Sequence, residues 1–300
     1  MGTKPYYTGN YWQHFTSKDA CIEVNSYIRK EDQLMLSLRK VGYSLVCLLI
    51  SFHLSAQNDF CGIRNTSFQD GEKLFFKVYY NMGRIWINAG DAYFTVDKEN
   101  LNGHKVYHVI GDGRTVKSYE WFYKVRDKYE TYIDAESMLP LKFVRNVNEG
   151  GFRIYNSVAF NPAMGEAVST HGVFNVPRCV QDVLSTIYYA RNIDYNRYKP
   201  GDKIPFSMFL DDKVYNLYIR YMGKERIQTR YGTFNTIKIV PLLIEGTIFK
   251  GGEKMSVWVT DDNDHLPVRV DSPILVGSIK VDLMGYENIR NPLTGLVSKD

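Results

Sequence analysis

The chain has 300 residues, is 44% hydrophobic and 23% charged, and carries a formal charge of only +4. Its 23 Gly and 10 Pro exclude collagen-like and low-complexity material, and its 23 Tyr, 16 Phe and 4 Trp exclude a disordered chain. No lysine or arginine run is present to grip a nucleic-acid backbone, and four cysteines without paired spacing exclude a disulfide scaffold or a structural zinc site.

In chain order, the first informative segment is Met35 to Gln57. Arg39 and Lys40 precede an apolar run from Val41 to Leu54, and Ser55-Ala56 places a small residue before Gln57. This is the three-part layout of a secretory signal peptide cleaved near Ala56, although Leu54 stands where a small residue is preferred. The run is short for a membrane span, which needs about 20 apolar residues. A buried core helix and an uncleaved anchor are the alternatives. Met35 makes a natural start, so residues 1–34 read as a start-site extension, 35–56 as signal peptide and 57–300 as one exported, periplasmic β domain. Asn58-Asp59-Phe60 lacks the small residue expected before a lipidated cysteine, so Cys61 is not read as a lipid anchor. Loss of the leader removes Cys21 and Cys47. Cys61 and Cys179, left in an oxidising compartment, invite one disulfide, the alternative being two buried thiols. Closing so long a loop is worth about 4–5 kcal/mol in the chain-entropy picture.

From Glu72 onward the pattern is β. Lys73, Phe75, Lys77 and Tyr79 alternate with Leu74, Phe76, Val78 and Tyr80. Ile85 to Ile87 and Ala92 to Val96 form a second strand, with Gly90 at a bulge or close approach. Val106 to Ile110, Trp121 to Val125, Tyr129 to Ile133, Leu141 to Val147 and Phe152 to Phe160 follow. Asn102-Gly103, Gly111-Asp112-Gly113, Asn148 to Gly151 and Asn161-Pro162 read as the turns between them. Cys179 to Asn192 alone has helical spacing, with Pro177 at its entrance and Asp182 as an N-terminal charge or cap. Strands then resume at Ile204 to Leu210, Val214 to Tyr221, Phe234 to Pro241, Met255 to Thr260, Pro267 to Val270 and Val276 to Tyr286.

A weak internal echo links Asp134 to Phe143 with Asp261 to Val270, each an acidic turn leading through Leu-Pro into a strand. Either two half-sheets, at about 71–170 and 200–288, flank the helix, or the hairpins are alike by chance. So many strands must hide their edges. The expected fold is mainly β: a curled, barrel-like antiparallel sheet plugged or capped by one amphipathic helix.

Gly71-Glu72-Lys73-Leu74, then Cys179-Val180-Gln181-Asp182-Val183-Leu184-Ser185, then Trp258 to Asp262 leading to Leu266-Pro267, and finally Val276-Gly277-Ser278 occur in a characteristic order. Over about residues 60–290 the chain resembles the exported bacterial family called domain of unknown function 3108. That resemblance implies an exported, mostly antiparallel β-protein without an established activity. The hairpins also resemble, in architecture alone, outer-membrane lipoprotein carriers, whose half-closed barrels hold acyl chains.

Catalytic and metal motifs are sparse. His104 and His108 on one strand would stand about 13 Å apart, too far to share a zinc ion. His171 and His265 lack ligand-spaced neighbours. Asp261, Asp262, Asn263 and Asp264 fail the EF-hand pattern and read as an acidic turn. Gly111-Asp112-Gly113 lacks the third glycine and the helix of a dinucleotide loop. Ser185 and Ser278 lack a nucleophile elbow. Glu72, Asp182, Glu245 and Asp261 are the carboxylates to test for glycan hydrolysis. Trp86, Trp121, Tyr188 and Trp258 are the aromatic candidates to line a pocket, against the plainer reading of strand packing. No cofactor or metal is implied. The leading expectation is a non-enzymatic carrier or binding module for a lipid or other amphipathic small molecule. An envelope assembly partner is the alternative and an envelope glycan hydrolase the third reading.

Overall fold

The computed structural model describes residues 61–82, 85–244, 251–274 and 277–300. The 1–34 extension, the signal peptide at 35–56, Cys21, Cys47, Glu245 and Val276 lie outside the described residues. The first strands form a meander: β1 (Lys73–Met82), β2 (Ile85–Leu101), β3 (His104–Thr115), β4 (Val125–Asp134), β5 (Pro140–Glu149), β6 (Phe152–Asn161), β7 (Glu166–Ser169) and β8 (Gly172–Asn175). Helix α1 (Val183–Ala190) follows. A second meander comprises β9 (Lys203–Leu210), β10 (Lys213–Gln228), β11 (Gly232–Pro241), β12 (Ser256–Thr260), β13 (Pro267–Pro273) and β14 (Ser278–Glu287), and β15 (Leu296–Lys299) pairs with β11.

The meanders meet at one seam. β1 lies antiparallel to β14, with Lys73 opposite Glu287 and Tyr80 opposite Ile279. One antiparallel sheet of 15 strands results among the described residues, with β8 and β9 at the ends of the path. This is the curled sheet with a central helix that the sequence predicts.

Side chains, rather than a backbone ladder, link the two ends. Phe143, Val158, Phe160 and Ala167 from β5–β7 pack with Phe209 of β9 and with Val176 and Val180 ahead of α1. Arg145 pairs with Asp211 in the β9–β10 turn, and His171 with Asp212 at 2.6 Å. The Gln181 N–H donates to the Ser207 carbonyl, and the Gln181 carbonyl accepts from the Phe209 N–H, each at 2.9 Å. That short parallel contact satisfies edge groups of β9 that would otherwise face solvent.

Those bonds also correct the helix boundary. Spacing alone extends it over 179–192, but Gln181 is engaged with β9, so α1 starts at Val183. Asp182 is its N-cap. Its carboxylate accepts from the Leu184 and Ser185 N–H groups at 2.8 and 2.9 Å, while Ser185 Oγ accepts from the Asp182 N–H. This capping box satisfies the exposed donors of the first turn. Asp182 Oδ2 also accepts from Thr131 Oγ1 at 2.6 Å, which fastens the helix start to β4.

Two further expectations change. Gly111-Asp112-Gly113 is not a turn but part of β3, paired to both β2 and β4. Glycine at position 111 allows a close approach, since a Cβ there would stand 3.1 Å from the Phe94 ring and 3.4 Å from Leu184 of the helix. Trp121 to Val125 is not a strand. Thr115 Oγ1 donates to the Tyr123 carbonyl and accepts from the Val125 N–H, so a loop occupies 116–124 and β4 begins at Val125. The expected bulge at Gly90 is present. Val78 faces Gly90 while Tyr79 faces Asn88, and a Cβ at Gly90 would meet the Arg114 carbonyl at 2.7 Å.

The echoed Leu-Pro segments form similar hairpins. Asp134 N–H donates to the Leu139 carbonyl and Thr260 N–H to the Leu266 carbonyl, both at 2.9 Å. Met138 and His265, each just before Leu-Pro, both adopt positive φ, at 60° and 43°.

Leu184, Tyr188 and Tyr189 of α1 join Val96, Val109 and Ile133 of the first meander and Ile204, Ile219 and Ile237 of the second in one buried cluster. At the other end of the helix, Arg191 forms a two-pronged ion pair with Glu72 at 2.6 and 2.8 Å. Glu72 is 0% and Arg191 2% exposed at their side chains. Arg191 also donates to the carbonyls of Asp264 and Ser67, so the guanidinium is held on several sides. Burial opposes its charge, but Glu72 outweighs this and holds the guanidinium pKa above its ordinary value. Cys61 and Cys179 form a disulfide, with Cα atoms 5.5 Å apart and 118 residues between them in sequence.

Arg191→Met strands a buried carboxylate and is expected to lower the stability measured by urea unfolding by about 3–5 kcal/mol. Pairing it with Glu72→Gln should cost less than the sum of the single changes, because the double variant buries no lone charge. The Cys61→Ser/Cys179→Ser variant should lose about 4–5 kcal/mol, read in the same unfolding experiment.

Candidate functional site

Alternation along β14 sets Lys280 and Asp282 on one face, with Ile279, Val281 and Leu283 between and beyond them. Pairing brings Tyr79 of β1 opposite Lys280 and Arg269 of β13 opposite Asp282. Trp86 enters from β2, opposite Asn81, and Gln228, Thr229 and Arg230 come from the end of β10 and the β10–β11 turn. These eight residues line a cleft of about 290 Å³.

Its charge is unevenly spent. Arg269 grips Asp282 through two bonds at 2.7 and 2.8 Å and donates a third to the Gln228 carbonyl. Lys280 lies 4.8 Å from the Trp86 ring centre and 3.7 Å from Asp271. Arg230 lies 4.4 Å from the Tyr79 ring centre and has no carboxylate partner among the described residues. Burial raises the Tyr79 hydroxyl pKa, and the Arg230 charge pulls against it. The cleft therefore offers the half-buried Trp86 ring and incompletely neutralised cations, while the Tyr79 ring is buried beneath Arg230. That chemistry suits an anionic group joined to an apolar or ring-shaped body.

Of the aromatic candidates, Trp86 alone lines this cleft. Trp121 stands in the β3–β4 loop and is 82% exposed. Tyr188 is buried, edge-on to Phe68 at 4.9 Å and 5.2 Å beneath the Arg191 guanidinium. Trp258 donates to Glu225 at 2.6 Å and lies under Lys238. The structure does not gather the four around one cavity.

The described carboxylate candidates are also separate. Glu72 binds Arg191 at one end of α1 and Asp182 caps the other, so a helix about 12 Å long lies between their partners. Asp261 pairs with Lys224 at 2.8 Å. Glu245 lies outside the described residues. The Asp261-to-Asp264 turn is tied internally: Asp262 accepts from Thr260, Asp264 N–H and Gly295 N–H, while Asp264 accepts from Asn291. His104 lies 3.5 Å from Asp134, whereas His108 meets Glu99 and Glu130 and stacks on Tyr132. No group of three or more His, Cys, Asp or Glu among the described residues is arranged to hold a metal ion. Nor is any helix among them long and apolar enough to cross a membrane.

Arg230, Arg269, Lys280 and Tyr79 escaped the sequence reading. Alternation could expose Lys280 and Asp282 as facing the same way. Their neighbours come from strands remote in sequence, and nothing local marks that pairing.

A second ionisable site lies at the half-buried Asp127 on β4. Burial and the nearby Glu149 charge push its carboxyl pKa up to about 7, against the Asn148 N–H that donates to it at 3.1 Å. Burial likewise raises Asp182 to about 6 despite bonds from Thr131 and the helix start.

The fold and cleft define an antiparallel, curled-sheet β-protein with a helix-filled core and a cationic aromatic cleft. The chain belongs to the protein family of unknown function DUF3108, whose family model matches residues 76–284. The resemblance carried by its ordered motifs is borne out. No curated protein matches the chain in sequence. A β-barrel-like protein of domain of unknown function DUF1849 from Brucella abortus is similar at TM-score 0.49 and 9% identity, over 75% of this chain and 99% of its own. A candidate lipoprotein from Parabacteroides distasonis aligns at TM-score 0.33 and 12% identity, over 75% of this chain and 100% of its own. A candidate exported protein with a YmcC-like fold from Bacteroides fragilis aligns at TM-score 0.30 and 10% identity, over 76% and 99%.

Unfolded, Asp127 takes its proton near pH 4; folded, near pH 7. Its favourable contribution is therefore complete below about pH 4 and is lost as pH rises through about 7. Asp127→Asn should remove that loss. Urea midpoints measured from pH 5 to 8 should fall more steeply for the wild type than for the variant.

Proposed function

We propose that this protein is an exported, periplasmic binding module whose ligand is an anionic amphiphile, held by its head in the cleft between Tyr79, Trp86, Arg230 and Lys280. The carrying observation is the placement of two cations over two aromatic rings in a space of about 290 Å³. That volume suits a headgroup or one sugar ring better than a complete acyl chain. Export is supported by the leader pattern at residues 35–56, and the Cys61–Cys179 bridge suits an oxidising compartment. The cleft chemistry favours binding over hydrolysis, because its single carboxylate, Asp282, is engaged by Arg269.

Dodecyl phosphate, used below its micelle concentration, is the test ligand, with dodecyl maltoside as the uncharged comparison. Calorimetric titration should show saturable binding of the phosphate. Arg230→Ala/Lys280→Ala should weaken it by about tenfold or more, from the loss of charge-assisted contacts. Absence of saturable binding, or equal affinity in the variant, overturns the proposal.

A further inference from the structure

The loop at 116–124 is an ordered protrusion with apolar side chains in water. Trp121 is 82% and Phe122 68% exposed, and their rings meet edge to face at 6.0 Å.

Several bonds fix the loop. Val116 N–H donates to the Ala89 carbonyl, and Phe122 and Tyr123 N–H groups donate to the Tyr119 carbonyl. Thr115 closes its base through Tyr123 and Val125. Gly150 N–H donates to the Lys124 carbonyl, and Tyr123 lies so close that a Cβ at Gly150 would stand 2.6 Å from its ring. The β5–β6 turn is thereby joined to the loop, and exposed Phe152 begins the strand beyond it.

The surrounding charge favours one kind of surface. Lys117, Lys124 and Arg153 are exposed and have no ion pair among the described residues. The acid within the loop, Glu120, is paired with Arg126. Aromatic side chains at a loop tip with basic residues around them match a membrane interface, where rings lie among lipid headgroups and cations meet anionic phosphates.

We propose that the 116–124 loop docks the protein onto an anionic lipid surface by inserting Trp121 and Phe122, with Lys117, Lys124 and Arg153 contacting phosphates. This surface uses none of the cleft residues and is a distinct inference from the ligand site.

The probe is vesicles of mixed phosphatidylcholine and phosphatidylglycerol, with and without brominated acyl chains, added to the full chain. Emission of the wild type minus that of Trp121→Phe isolates Trp121, even if another part of the chain also binds lipid. The expected result is a blue-shifted difference spectrum that brominated chains quench. Trp121→Ser/Phe122→Ser should weaken vesicle binding by about tenfold or more. Lys117→Gln/Lys124→Gln should reduce binding to anionic vesicles while leaving the weak affinity for pure phosphatidylcholine unchanged. A difference spectrum that is neither shifted nor quenched overturns the proposal, including where the chain sediments with vesicles through another segment. Protection of Trp121 by an envelope protein, with no response to lipid, also overturns it.

Discussion

The Glu72–Arg191 pair is the constraint on which this arrangement depends. Glu72 immediately precedes β1, Arg191 follows α1, and the guanidinium also reaches Ser67 and the Asp264 turn between β12 and β13. Four regions are thereby joined around one charge. The Arg191 carbonyl accepts from Ser67 Oγ at 2.6 Å and lies 2.7 Å from His265 Nδ1, while burial lowers the His265 pKa. A neutral imidazole carrying its hydrogen on Nδ1 donates to that carbonyl. Removing water makes each interaction directional and makes the loss of one partner costly.

The two ends of α1 are fixed by different chemistry. Asp182 binds the helix's own N–H groups and Thr131, whereas the C-terminal end is held by a formal ion pair. This combination sets the helix against strands from both meanders and fills the core with Leu184, Tyr188 and Tyr189. The resulting packing leaves the cationic cleft at Trp86 rather than around Tyr188. It also separates Glu72 from Asp182, which looked like members of one set of acids in linear sequence.

Much of the fold was legible because strands announce themselves through alternation and turns. Asn102-Gly103 joins β2 to β3 with positive φ at both residues, and the Gly90 bulge is visible in sequence. Gly111 was misleading because glycine serves close packing there, not a turn. Short β7, β8 and β15 passed unnoticed because few residues establish their periodicity. The functional surface was less legible. Trp86 lines the cleft, but the pairing that adds Arg230, Arg269 and Lys280 to it is set by the seam between meanders. An aromatic-rich sequence likewise does not reveal whether Trp121 is core or exposed; the Thr115 bonds determine that locally.

That seam has a kinetic consequence. Lys73, among the first residues of the sheet, cannot find its partner until Glu287 is available, because β1 pairs with β14. The second meander can assemble locally, but the complete sheet must wait for nearly the whole chain. Such distant pairing raises the entropic barrier to folding and slows closure. During synthesis the first strands therefore keep an open flank at β1, which is covered only when β14, the last long strand, arrives.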